Sequence, residues 1–236
     1  MGIAGDYIYQ AMHWYTLAFV VAGFLVLLFF GYRLRKSPEK SRMLLVGVSV
    51  FQIVFEIGWR LIYLFVKKCS YVDLWPMYPC NLGGILVPLI ALCNWQKGKK
   101  LFYLFGFIGG VLTFAMPDNI FTTSVMVFPI VKSILQHTGL LFIPMLEYVS
   151  GTYRPSLKDM GWITGGCLIH AVNCEGIDRL LGLTEDYMFF RSGLPFVIPG
   201  VPQFITLSVF ALAVFALIAF LCDVKGSIDF LKGNRK

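Results

Sequence analysis

Apolar runs as long as a bilayer is thick recur along this chain, and they restrict it to helices that cross a membrane. Spanning about 30 Å of hydrocarbon takes about 20 residues of helix. Backbone groups in lipid must bond to one another, because no water is there to satisfy them. Seven segments fit: roughly Ala11 to Tyr32, Met43 to Val66, Asp73 to Trp95, Leu101 to Met116, Met126 to Tyr148, Met160 to Asn173 and Gln203 to Cys222. The fourth and sixth are short for a full crossing, and Pro76 and Pro79 fall in the opening turns of the third. With 58% of its 236 residues hydrophobic and 14% charged, the chain cannot be organised around one water-soluble core. The expected architecture is all-α, a single polytopic bundle of seven transmembrane helices over residues 1–236.

Positive residues in short connections are retained on the cytoplasmic side. Alternate connections carry Arg33, Arg35, Lys36, Lys40 and Arg42, then Lys97, Lys99 and Lys100, then Arg154 and Lys158, and finally Lys225, Lys232, Arg235 and Lys236. The other side receives only Lys67, Lys68, Arg179 and Arg191. The amino terminus is therefore expected outside and the carboxyl terminus in the cytoplasm of a cell-membrane protein. The first apolar run is too long for a signal peptide and reads as a signal anchor. A net charge of +7 is explained by this topology and by anionic inner-leaflet lipid, with no nucleic-acid partner. The connections are short except for Cys174 to Pro202, rich in Gly, Pro and aromatics, which reads as an interfacial cap or an ordinary aromatic belt.

Ionisable side chains in hydrocarbon are costly, so each is a functional candidate until a partner explains it. Counted by helical rise from the expected outer ends, Cys80 lies about 10 Å deep and His137 about 15 Å. Glu56 lies at about 15 Å and Arg60 at about 9 Å by the same rule. Lys132, His170 and Asn173 share this outer half, whereas Glu147 sits near a cytoplasmic end. The asymmetry suggests a polar cavity opening outward among the second, third, fifth and sixth helices.

Glu56 and Arg60, spaced i, i+4, form either a structural pair or a means of orienting a substrate head group. Lys132 is expected to snorkel to the outer interface, and His13 to lie at an interface. His170, with Asn173 at i+3, is either an interhelical hydrogen-bonding residue or part of the site. The six cysteines contain no C-x-x-C pair and no zinc-like spacing, so no metal and no cofactor are expected. Cys69 and Cys174, both expected outside, are a candidate disulfide.

A buried thiol is commonly a small apolar residue. A histidine within hydrogen-bond reach would instead make Cys80 a competent nucleophile. Pro79 frees a carbonyl, and Gly83 with Gly84 leaves the next turn open to a bound acyl carbonyl. Tyr78, Asn81 and Gln136 flank the pair as candidate substrate-binding residues.

Several stretches carry a likeness to a known family. These are Pro76-Met77-Tyr78-Pro79-Cys80-Asn81, Gly109 through Asp118, Gln136-His137-Thr138-Gly139-Leu140-Leu141, Tyr153-Arg154-Pro155 and Asp186 through Phe190. In their order and spacing the chain resembles the YwaF-like bacterial integral membrane proteins, the family that includes animal transmembrane protein 164. The resemblance implies a seven-helix acyltransferase in which a cysteine takes a fatty acyl chain from a glycerophospholipid and passes it to a lysophospholipid. It places Cys80 and His137 at the family's Cys and His. Tyr78 and Asn81 stand where His and Asp are common among the bacterial relatives.

Two other classes are compatible with the residues alone. A transporter would line its pathway with Glu56, Arg60, Lys132, His137 and His170, although no internal repeat is visible. A catalytically silent lipid-binding protein is the other.

Overall fold

The computed structural model describes residues 10–66, 74–76, 78–115, 120–121, 123, 125–182, 188 and 198–232. Within them the chain is helical, without strands: α1 (Ala11–Leu34), α2 (Pro38–Phe65), α3 (Pro79–Cys93), α4 (Gln96–Ala115), α5 (Phe128–Ser150), α6 (Met160–Ala171), α7 (Gln203–Cys222) and α8 (Val224–Leu231). Helix α6 continues through a π-helical turn, Val172–Gly176, into a last turn at Ile177–Leu180. Among the described residues five helices, α1, α2, α4, α5 and α7, are long and apolar enough to cross a membrane.

Helix α5 is the hub, packing on α1, α2, α3 and α4, while α4 connects it to α6 and α6 to α7. Burial follows that order. Of the most apolar stretch of each helix, 56% is buried in α5 but only 11% in α1 and 17% in α7, so the outer helices turn their apolar faces outward. Tyr15, Phe19 and Leu25 on α1, and Val209, Phe210 and Leu217 on α7, form apolar surface that only lipid makes favourable.

The third helix departs from expectation in a way that matters for the site. It starts at Pro79 rather than near Asp73, because a proline at the first helical position lacks only an N–H that would have been unpaired anyway. Fifteen residues rise about 22 Å, short of the about 30 Å of a hydrocarbon core. Pro76 therefore lies before the helix, and Cys80 falls in its first turn. The Pro76 carbonyl, which no helix satisfies, accepts from Asn173 Nδ2 at 2.7 Å, and Trp75 Nε1 donates to Asn173 Oδ1 at 3.1 Å. The π-helical turn beyond α6 supplies that asparagine.

Close helix crossings rest on small residues. A Cβ at Gly166 of α6 would collide with the backbone carbonyl of Leu101 in α4. Gly166→Ala is accordingly expected to cost about 1–3 kcal/mol, visible as a lower unfolding temperature in detergent. Gly83 and Gly84 serve the same purpose rather than leaving a turn open. A Cβ at Gly83 would stand 3.1 Å from Leu140, and one at Gly84 would stand 2.9 Å from Gln136 Nε2 and 3.0 Å from Glu56 Oε1.

Candidate functional site

Polar side chains from α2, α3 and α5 converge where those three helices pack together. Helix α2 contributes Gln52, Glu56, Trp59 and Arg60, whose i, i+4, i+8 spacing places Gln52, Glu56 and Arg60 along one face. Glu56 is buried and accepts from Gln52 Nε2 at 3.3 Å, Trp59 Nε1 at 2.9 Å and Arg60 Nη1 at 2.5 Å. Arg60 Nη1 also donates to the Glu56 carbonyl at 2.9 Å.

Helix α5 reaches α3 through Gln136. Its Nε2 donates to the Cys80 carbonyl at 3.0 Å and to Asn81 Oδ1 at 2.9 Å. These bonds hold the thiol-bearing turn against the residue next to His137. They also leave the Asn81 amide nitrogen with its two donors uncommitted to Gln136. Because α3 starts at Pro79 and not near Asp73, Cys80 is less far along its helix than the sequence predicts, yet this contact brings the first turn of α3 to the level of His137.

His137 is buried, and its Nδ1 donates to the Ser133 carbonyl at 2.7 Å. In a neutral imidazole that bond leaves Nε2 as the lone-pair nitrogen, so the tautomer is fixed from within α5. The ring meets Phe114 of α4 edge-on at 6.4 Å between centres. Cys80 is a free, half-buried thiol packed against the core that includes Leu140 and Ile143. Lys132 and Glu56 are the side-chain charges that act on the Cys80 sulfur. Lys132 acts on His137 as well.

Lys132 does not snorkel. It is half-buried, with Nζ 4.2 Å from the centre of the Trp59 ring, where the electron-rich indole face attracts it. His13 is likewise buried, its Nε2 3.3 Å from the Phe114 carbonyl.

The remaining expected residues lie around this cluster rather than in it. Tyr78 is exposed, and its carbonyl accepts from the Asn81 N–H at 2.9 Å and the Leu82 N–H at 3.2 Å, which makes it the N-cap of α3. Asn173 braces the segment that leads into α3. His170 is buried in α6, stacked on Phe105 at 4.2 Å and edge-on to Phe102 at 5.5 Å, both on α4. Cys174 is a free, buried thiol, while Cys69 lies outside the described residues, as do most of 183–197 in the expected cap. Among the described residues no group of three or more His, Cys, Asp or Glu is placed to hold a metal ion.

The sequence missed Gln52 and Trp59, although a polar Gln one turn before Glu56 in an apolar run is itself a signal. It also missed a second polar cluster near the opposite end of α5. Lys99 of α4 is fully buried against Glu147 of α5 at 2.5 Å, so the basic connection expected at 97–100 is in fact the first turns of α4.

The TMEM164 family model matches residues 8–220 of the chain. No curated protein and no solved structure matches it.

Proposed function

We propose, from the premise that this multi-pass membrane protein belongs to the TMEM164 family, that it is a phospholipid acyltransferase with Cys80 as nucleophile and His137 as base. The observation that carries the reading is the Gln136 bridge, which packs the turn holding Cys80 against the residue beside a histidine whose Nε2 is free to take a proton. Helices α3 and α6 complete a seven-helix bundle. Its amino terminus is outside and its carboxyl terminus cytoplasmic, as the distribution of Lys and Arg favours. The localisation that follows is the cell membrane.

The chemistry runs in two balanced halves. His137 Nε2 takes the Cys80 thiol proton, and the sulfur attacks an ester carbonyl of a glycerophospholipid. The ester C–O bond then breaks, the departing lysophospholipid takes the proton from His137, and the acyl chain remains as a thioester. An incoming lysophospholipid hydroxyl gives its proton to His137 and attacks the thioester. The C–S bond breaks, and the thiol recovers the proton. Water in place of the second lysophospholipid turns the same site into an acyl hydrolase. The Asn81 amide nitrogen is the side-chain donor available to the oxyanion. No cofactor is needed for these steps.

The buried Lys99–Glu147 cluster puts polar groups near the other end of α5 too, as a transport pathway would require. Both side chains are sealed from solvent and committed to each other, which favours a structural role.

Incubation with a phospholipid carrying an isotopically labelled acyl chain is expected to raise the intact protein mass by one acyl group. Hydroxylamine should remove the increment, and Cys80→Ala should never acquire it. An adduct that persists in Cys80→Ala overturns the assignment of the nucleophile. Solute uptake into liposomes without any adduct would instead favour transport.

A further inference from the structure

One indole carries two cations. Arg60 Cζ lies 4.2 Å from the centre of the Trp59 ring, and Lys132 Nζ lies 4.2 Å from it. The two charges act on each other and share a single carboxylate, Glu56, which also accepts from Gln52, Trp59 and Arg60. Arg60 uses only Nη1 on Glu56. Its Nε and Nη2 are buried and have no hydrogen-bond partner among the described residues. The ion pairs among the described residues, Arg60–Glu56, Lys99–Glu147 and Lys100–Asp159, leave Lys132 out. Two cations facing one carboxylate inside apolar segments leave one positive charge without a counter-ion, which low-dielectric surroundings penalise. The indole face offsets part of that penalty and keeps both cations in place.

We propose that Arg60 and Lys132, held on Trp59, bind the phosphodiester of a glycerophospholipid. One negative charge balances the excess. Its several oxygens serve the two free Arg60 donors together and the Lys132 ammonium at the same time. The placement fits the acyltransferase reading, on which this proposal rests for the role of the bound lipid. Lys132 precedes Gln136 by one turn of α5, about 6 Å of rise, and Gln136 bonds the Cys80 carbonyl. A phosphate at the cations therefore leaves the glycerol and its esters toward the thiol. A fatty-acid carboxylate would also balance the charge, but it would bring no ester to Cys80.

The test is binding of a radiolabelled short-chain phosphatidylcholine to the protein in neutral detergent, in a Cys80→Ala background so that nothing turns over. Diacylglycerol with the same chains, inorganic phosphate and a fatty acid serve as competitors. Arg60→Gln and Lys132→Met are each expected to weaken binding at least roughly ten- to hundredfold, the loss of one charge-assisted hydrogen bond for Lys132 and of two for Arg60. Lys132→Arg should keep the affinity within a few-fold, and diacylglycerol should compete poorly. Should Arg60→Gln fail to fold, having lost its bond to Glu56, Lys132→Met decides alone. Equal competition by diacylglycerol overturns the proposal, as does unchanged affinity in Lys132→Met. Competition by free phosphate or by fatty acid at the concentration at which the phospholipid itself competes would show a site for that anion and overturn the lipid assignment. Phosphodiester binding without any acyl adduct would retain this site and discard acyl transfer, so the two failures are distinguishable.

Discussion

Cys80→Ala is expected to lower acyl transfer at least about 10³-fold, because a methyl group offers no electron pair to carry the acyl chain. His137→Gln should cost roughly 10²–10⁴-fold, the range of a positioned general base. The double variant should be no slower than Cys80→Ala alone, since a base without a nucleophile has no proton to move. That non-additivity distinguishes a catalytic pair from two residues that each support folding, whose losses would add. Transfer of a labelled acyl chain to lysophospholipid, per folded molecule, reads all three. His137→Gln leaves the Gln136 bridge to Cys80 and Asn81 untouched, so unfolding temperature should move little while the rate collapses. Equal activity in His137→Gln and the parent protein would remove His137 from the mechanism.

How far the sequence could be read depended on whether a feature is set by length or by direction. A run of about 20 apolar residues has few fates, and five such runs are long apolar helices here. The i, i+4 spacing of Glu56 and Arg60 fixes their separation within one helix, and the two meet. What failed was direction. Lys132 was expected to extend to water, but a tryptophan on a neighbouring helix holds it inward, a contact that sequence separation hides. Lys99 reads as a connection charge in the sequence because it lies before the apolar run that begins at Leu101. The residues from Gln96 to Lys100 are polar yet helical, and Lys99 turns to a carboxylate 48 positions away. The sequence predicts Pro79 in the opening turns of a helix that it in fact begins, so Cys80 lies in the first turn rather than about 10 Å along. For the proposed chemistry that position matters, because it puts Cys80 and Asn81, whose side chain Gln136 holds, at the start of the helix.

The Lys99–Glu147 pair gives the largest expected effect on stability. Lys99 Nζ meets Glu147 Oε2 at 2.5 Å, with both side chains wholly buried. Glu147 also accepts from the Tyr103 hydroxyl at 3.0 Å and Thr152 Oγ1 at 3.2 Å, and Lys99 donates to Asn94 Oδ1 at 2.7 Å. The cluster thus ties α4 and α5 to the left-handed turn at Asn94 that joins α3 to α4. Lys99→Met strands a carboxylate that two neutral hydroxyls cannot neutralise, so the folded state is expected to lose about 3–5 kcal/mol. Lys99→Met/Glu147→Leu removes both charges and should recover most of that loss, since an apolar replacement of a buried pair is often neutral. Denaturant titration in mixed micelles measures the difference. Glu147 lies ten residues beyond His137 on α5, about 15 Å by helical rise. Acyl transfer per folded molecule should therefore survive in the double variant. A protein that moves protons or ions along α5 would instead lose function when this cluster becomes apolar, however well it folds. The same pair of substitutions consequently measures the strength of the brace and decides between a sealed structural cluster and the inner half of a pathway.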